Sequence, residues 1–104
     1  MKRNGALDLT AEQKAVALQI LQQHLPADAL VWVFGTRARG QARPYSDLDL
    51  AIDAGRCLSL AETGDLAEAF SESDLPWKVD VVDWRALEPR LASLIEAELV
   101  PLVA

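Results

Sequence analysis

Two aspartates that alternate with leucines are the residues of this chain best suited to metal chemistry. In Asp47-Leu48-Asp49-Leu50 a carboxylate recurs at every second position, so on a β-strand both acids would lie on one face while the leucines enter the core. Residues two apart on a strand are about 6.6 Å apart at the backbone, a separation from which two carboxylates can converge on a pair of divalent ions. The same pattern also fits an amphipathic edge strand with a solvated acidic face.

A glycine turn and three arginines upstream of the acids could bind phosphate. Gly35-Thr36 would open a turn in which backbone N–H groups and a hydroxyl are available to an anion. Arg37, Arg39 and Arg43 place three of the ten basic residues of the chain close together. A triphosphate with its metal ions would satisfy both the arginines and the aspartates. Alternatively, the arginines are solvated loop residues or partners that neutralise the two aspartates.

Two strands and the turn between them are predicted to position these groups. Val31–Phe34 is a short β-branched and aromatic run of strand type, and it ends at Gly35, a residue that tolerates turn conformations closed to others. A short helical piece is predicted at Thr36–Arg39, with Gly40 as its end. The second strand, Asp47–Asp53, carries the acids. Its last residue lies beside a glycine, which favours a turn role for that aspartate over metal binding.

A third acid is expected from the next strand, which is predicted at Trp77–Asp83. Asp80 lies between Val79 and Val81, so its side chain should point away from the face that the two valines bury. Asp83 is the competitor for this role. It directly precedes Trp84-Arg85 and suits the cap of the last helix better.

Three further helices complete the chain. The capping-box patterns Thr10–Gln13 and Ser59–Glu62 predict the starts of two of them, and Pro89 lies near the first turn of the last. The middle helix is predicted to bury a stripe formed by Leu60, Thr63, Ala67 and Phe70. This order of elements predicts an α/β fold with a small mixed β-sheet and helices packed mainly on one face.

The two motifs together resemble the signature of the DNA polymerase β-like nucleotidyltransferases. Gly35-Thr36-Arg37-Ala38-Arg39-Gly40, followed by Ser46-Asp47-Leu48-Asp49-Leu50, looks more narrowly like the Gly-Ser-x-Ala-Arg-Gly and Ser-Asp-Leu-Asp-Leu pair of the minimal nucleotidyltransferases. Those proteins are antitoxin partners of HEPN-domain ribonuclease toxins. The resemblance covers nearly the whole chain and implies the nucleotidyltransferase fold. One residue departs from the pattern, since Thr36 stands where the family usually has serine.

The resemblance also implies roles for individual residues. Asp47 and Asp49 would hold two Mg²⁺ ions, and Asp80 matches the family's third acid, which completes the metal site. Gly35 and Thr36 would bind the phosphates of a nucleoside triphosphate. Arg39 would brace this loop or neutralise phosphate charge, whereas Arg37 lies at a variable position of the family and receives no role.

The activity that the resemblance implies is transfer of AMP from ATP to a tyrosine hydroxyl of a HEPN ribonuclease, which would silence the toxin within a hetero-oligomer. A rival hypothesis is a binding-only antitoxin that blocks its toxin sterically, and Thr36 is its main support. A transferase that acts on a small molecule or on RNA is a second rival, and it would need another domain from a second chain.

Size and charge restrict the alternatives. The 104 residues are expected to form one domain, 1–104, with no room for a second substrate-binding domain, which argues against a self-contained antibiotic-modifying transferase. Sixteen acidic against ten basic residues give a net charge of −6, which disfavours broad nucleic-acid binding. No apolar run approaches the length of a membrane span. The protein is therefore expected to be cytoplasmic.

Overall fold

The computed structural model of the protein describes residues 7–103. Three α-helices, four β-strands and one 3-10 turn follow one another within this range. In chain order they are α1 (Ala11–His24), β1 (Leu30–Phe34), β2 (Leu48–Asp53), α2 (Leu60–Ser71), β3 (Val79–Asp83), the 3-10 turn (Trp84–Ala86), α3 (Pro89–Glu96) and β4 (Val100–Pro101). Within residues 7–103, no helix combines the length and the apolar character that crossing a membrane requires.

The four strands form one mixed sheet in the order β3-β2-β1-β4. β1, one of the two inner strands, runs antiparallel to both β2 and β4, whereas β2 and β3 are parallel. The parallel pair is joined through α2, as a crossover connection between parallel strands requires. The small mixed sheet predicted from the sequence is therefore confirmed.

Both predicted capping boxes form and fix the starts of α1 and α2. The N–H of Gln13 donates to the Thr10 hydroxyl at 3.0 Å, and the Gln13 side chain accepts from the Thr10 N–H at 3.0 Å. Ser59 and Glu62 make the same pair of hydrogen bonds at the start of α2. These reciprocal bonds satisfy N–H groups that a helix start otherwise leaves without a partner.

The core lies between α1, α2 and one face of the sheet. Alternate residues of β2 point into the core and are fully buried, as is Val33 of β1. The buried helical residues that meet them are Ala17 and Leu21 of α1 and Leu66 and Phe70 of α2. Because β2 alternates, its other face carries Asp49 and Asp53, and the burial of the leucine face holds these acids on the side away from the core.

Several sequence predictions need correction, among them the start of the third strand, which lies at Val79 and not at Trp77. The buried stripe of α2 consists of Leu66 and Phe70, whereas Leu60, at the first helical position, is 92% exposed. Residues 36–40 form a hydrogen-bonded turn that does not continue as a helix. The second strand begins at Leu48, one residue later than predicted, so Asp47 lies immediately before it.

Candidate active site

Asp49 and Asp80 are direct neighbours on adjacent strands. In the parallel register of β2 and β3, Asp49 lies opposite Asp80 and Leu50 lies opposite Val81. Residues that lie opposite each other share a face of the sheet, so Asp80 lies on the same side as Asp49 and away from the core. This placement agrees with the position predicted for Asp80 from the two flanking valines.

The surroundings of Asp49 disfavour the ionised form of its carboxyl group. Burial raises the pKa of the Asp49 carboxyl above its ordinary value, and the negative charges of Asp80, Asp47 and Glu98 raise it further, while Arg39 acts in the opposite direction. Asp47 is exposed just before the strand, and Asp80 is half-buried. A fold gains no stability from this arrangement of acids, which is typical of a site that awaits a cation.

We expect Asp49→Asn to raise the melting temperature of the metal-free protein at pH 7. The folded-state pKa of Asp49 lies above its ordinary value of 3.8. The ionised carboxylate therefore destabilises the fold above that raised pKa, and this effect disappears as the pH falls below 3.8. Thermal unfolding in EDTA between pH 3 and 8 measures the difference.

The control for this prediction is Asp65→Asn, which removes one negative charge from an exposed position on α2. It should leave the melting temperature nearly unchanged across the same pH range. An Asp49→Asn protein that melts below the parent at pH 7 would contradict the prediction.

The turn that follows β1 brings Gly35 against the acids. Gly35 has a φ of 79°, a conformation that residues with a Cβ atom rarely adopt. Its carbonyl accepts from the N–H of Ala38 at 3.1 Å and of Arg39 at 3.2 Å, which closes the turn, and Gly40, with a φ of 70°, ends it. The N–H groups of Thr36 and Arg37 take part in none of the hydrogen bonds found within residues 7–103. They are therefore available to an anion.

Gly35 is also in close contact with Asp49. A Cβ atom built on Gly35 would overlap Oδ2 of Asp49 and would lie 3.4 Å from its Cγ. In the antiparallel register the neighbouring residue Phe34 is the partner of Asp49, which explains how the turn comes to lie over the carboxylate. The predicted phosphate-binding turn and the predicted metal-binding acid are thus adjacent.

Arg39, a residue of this turn, forms an ion pair with the carboxylate of Glu98, which lies near the other end of the chain. Its Nη1 donates to Oε2 of Glu98 at 3.1 Å and to Oε1 at 3.2 Å. The same Oε1 accepts from the N–H of Gly35 at 2.8 Å. Nothing in the sequence pattern around Glu98 indicated this contact, because it depends on how the segment between α3 and β4 lies beside the turn.

Arg37 has a structural role that the sequence did not indicate. Its side chain is only 5% exposed, and its guanidinium lies 4.3 Å from the centroid of the Trp77 ring. It donates to the carbonyl of Asp8 at 2.7 Å and to that of Ser46 at 2.9 Å, and more weakly to that of Pro44 at 3.3 Å. Arg37 therefore holds the loop that leads to Asp47, and it neither lies in solvent nor pairs with the two aspartates.

Arg37→Ala is expected to lower the free energy of unfolding by about 2–3 kcal/mol, since hydrogen bonds made by a charged group contribute more than neutral ones. Several carbonyl groups of the loop would lose their donor at once. Chemical denaturation monitored by tryptophan fluorescence measures the loss. Arg43→Ala is the matched control, because the Arg43 side chain is exposed, and an equal loss in both variants would contradict the role given to Arg37.

Asp53 and Asp83, the two remaining acids of the sheet, accept hydrogen bonds at its other end. Asp53 accepts from the Arg85 guanidinium at 2.8 Å and from the Gly55 N–H at 2.9 Å, and the hydrogen bond from Arg85 is the main reason why the pKa of Asp53 is lowered. Asp83 accepts from the N–H of Leu58 at 2.6 Å and from that of Arg85 at 3.1 Å. It caps the 3-10 turn, and its register partner is Ile52, a core residue. Asp53 is thus a turn residue, as predicted, whereas Asp83 caps the 3-10 turn and not the last helix, whose N-cap is Glu88.

The carboxylates on the shared face have the chemistry of a magnesium site. Mg²⁺ prefers oxygen ligands, and Asp47, Asp49 and Asp80 supply only oxygen. Within residues 7–103 no three acidic, histidine or cysteine side chains are already gathered as a set of metal ligands. The carboxylates would therefore have to turn toward a common ion, which the exposed position of Asp47 and the half-buried position of Asp80 allow. The donor set fits the metal.

Comparison with known proteins agrees with this geometry. The family model described as polymerase beta, nucleotidyltransferase matches residues 16–103. The chain is 53% identical over 78 residues, which are 75% of this chain and 68% of the relative, to a Haemophilus influenzae protein named probable protein adenylyltransferase MntA.

Solved structures show the same similarity. The fold matches a crystal structure of a toxin-antitoxin with AMP-PNP with a TM-score of 0.75 and 25% identity over 88% of this chain and 73% of the other. It also matches a complex of a tri-AMPylated Shewanella oneidensis HEPN toxin with MNT antitoxin, with a TM-score of 0.67 and 25% identity over 88% of this chain and 69% of the other. Since the family model spans most of the chain, this protein belongs to the polymerase-β-type nucleotidyltransferase family.

Proposed function

We propose that this protein is an antitoxin that uses Mg²⁺ and ATP to transfer AMP to a tyrosine hydroxyl of a HEPN ribonuclease toxin. The observation that carries the proposal is the register of β2 and β3, which puts Asp80 beside Asp49 next to the Gly35 turn. The similarity to an adenylyltransferase and to toxin-antitoxin complexes supports the nucleotide and the partner. Because the donor is ATP, we place the reaction in the cytoplasm.

Three acids are proposed to form the metal site. Asp47, Asp49 and Asp80 would hold two Mg²⁺ ions between them. Burial and, after it, the negative charges of Asp80 and Asp47 raise the pKa of Asp49, and bound cations would offset both effects. When bound, magnesium would stabilise the negative charge that develops on the reacting phosphate.

The glycine turn is proposed to bind the triphosphate. The Thr36 and Arg37 N–H groups would bind the β- and γ-phosphates together with Gly35 and the Thr36 hydroxyl, and Arg39 would neutralise part of their charge. Thr36 has the hydroxyl that the usual serine would supply. Because the turn lies over Asp49, a triphosphate held there would have its α-phosphate near the acids.

The reaction is a single displacement in which a bond forms between the tyrosine oxygen and the α-phosphorus. The bond from the α-phosphorus to the bridging oxygen breaks, and pyrophosphate leaves with its electron pair. Asp80 would accept the proton of the attacking hydroxyl and pass it to solvent. Most of the acceleration would come from alignment and charge neutralisation, and no residue of this chain becomes covalently attached.

Label transfer to the purified HEPN partner tests the proposal. We expect label on the partner from ATP labelled at the α-phosphate, no label from ATP labelled at the γ-phosphate, and loss of transfer in EDTA. The γ-labelled donor is the matched control, since it separates adenylyl transfer from phosphorylation. Substitution of the labelled tyrosine by phenylalanine should abolish the signal.

The binding-only alternative makes the opposite prediction for the same reaction. If the chain neutralises the ribonuclease without labelling it, and if neutralisation is unchanged in EDTA, the enzymatic proposal is wrong and steric blocking is correct. Size-exclusion chromatography of the mixture would show the expected hetero-oligomer in either case.

A further inference from the structure

The carboxylate of Glu98 accepts hydrogen bonds from groups that are proposed to bind phosphate. Oε1 of Glu98 accepts the Gly35 N–H at 2.8 Å, and Arg39 Nη1 lies within 3.2 Å of both carboxylate oxygens. A backbone N–H of a turn and an arginine are the partners that a phosphate oxygen would also use. Glu98 therefore has the position of an anionic ligand, although it lies 63 residues from Gly35 in the sequence.

The contact between Arg39 and Glu98 contributes little to the stability of the fold. The Arg39 and Glu98 side chains are 43% and 29% exposed, and ion pairs of this exposure contribute little to folding. Glu98 also adds a negative charge to a site that already holds several acids, and it is one of the charges that raise the pKa of Asp49. An acid in this place is unfavourable for the neighbouring carboxylates.

The segment that carries Glu98 allows the side chain to leave the turn. Glu98 lies between the end of α3 and β4, where Val100 pairs with Val33 of β1. The backbone is held by this pairing and by the hydrogen bond from the Glu98 N–H to the Ile95 carbonyl at 3.0 Å. Displacement of the carboxylate needs only rotation of its side chain, which a staggered alternative rotamer permits.

We propose that Glu98 is an internal competitor for nucleotide, so that a triphosphate must displace its carboxylate from Gly35 and Arg39 in order to bind. This inference rests on the proposed nucleotide site and adds a control of its occupancy. Because the turn is closed by the protein's own carboxylate for part of the time, Glu98 raises the apparent Kd for nucleotide. Release of Arg39 from Glu98 then supplies the cation that the phosphate needs.

Nucleotide binding by Glu98→Gln tests the inference. The probes are Mg²⁺ with AMP-PNP, a nucleotide analogue, and inorganic tripolyphosphate, which has no base. Glutamine keeps the size of the side chain but removes its charge, so we expect the Kd of both probes to fall about 3- to 10-fold. The KM for ATP in label transfer should fall by a similar factor.

Glu96→Gln is the matched control, since Glu96 is exposed at the end of α3 and makes no hydrogen bond to the turn within residues 7–103. It changes the net charge equally and should leave both Kd values unchanged. An equal gain in the two variants would reduce the effect to overall charge and overturn the inference.

Two other results separate the inference from the function on which it rests. If the parent binds AMP-PNP and Glu98→Gln binds it equally or more weakly, Glu98 positions Arg39 for phosphate and the competitor inference fails while the proposed function stands. If neither the parent nor the variant binds either probe, the proposed nucleotide site and the inference both fail.

Discussion

Asp80→Asn is expected to reduce AMP transfer to the partner by about 100- to 10,000-fold, the range that removal of a positioned proton acceptor typically costs. Asp80 is the register partner of Asp49, and in the proposed mechanism its carboxylate shares a metal ion and receives the proton of the attacking hydroxyl. Asparagine has nearly the same shape but cannot carry the charge or take the proton. Single-turnover label transfer measures the loss.

The matched control is Asp83→Asn, because Asp83 lies on the same strand and was the alternative third acid. It accepts the N–H groups of Leu58 and Arg85 with different oxygens, so an amide can replace only one of these acceptors. We expect a loss of about 1 kcal/mol in the free energy of unfolding, with nearly normal transfer. Asp80→Asn should show the reverse, because the one ion pair that Asp80 makes within residues 7–103 is with the exposed Lys78. Equal losses of transfer in the two variants would contradict the site.

Local patterns sufficed to predict the placement of the acids. The leucines that flank Asp49 and the valines that flank Asp80 contain the information, because alternation in a strand depends only on which face is buried; Asp47 lies before the strand and is not placed by this rule. The starts of α1 and α2 were likewise predictable, since a capping box lies within four consecutive residues. Strand alternation and helix starts were thus predicted from neighbouring residues, whereas the helical piece predicted at Thr36–Arg39 is a turn.

Features that depend on distant contacts were not predicted. Arg37 donates hydrogen bonds to backbone carbonyl groups, which every residue has. No sequence pattern therefore distinguishes an arginine that is buried in this way from a solvated one. Glu98 reaches Gly35 only because β4 pairs with β1, and β4 has only two residues. The face that α2 buries is set by packing against α1 and the sheet, which made Leu66 a core residue and left Leu60 exposed.

The proximity of Gly35 to Asp49 links the turn that we propose to bind phosphate to the acids that we propose to bind metal, and it therefore predicts a large effect for a single methyl group. In Gly35→Ala the Cβ would overlap Oδ2 of Asp49, in addition to the strain of a φ of 79°. The carboxylate or the turn must shift to relieve this overlap. A displacement of about 1 Å can cost about 100-fold in rate, so we expect AMP transfer to fall by at least about that factor.

Gly55→Ala is the control that separates the overlap from the backbone strain. Gly55 has a φ of 83°, close to that of Gly35, but a Cβ atom there would meet nothing within 4 Å. Both variants should lose roughly 1–2 kcal/mol of stability, the cost of a left-handed conformation for an L-residue. Only Gly35→Ala should lose transfer and AMP-PNP binding. If Gly35→Ala retains normal transfer, the turn and the acids do not act as one site, because the contact that joins them would then have no effect on the reaction.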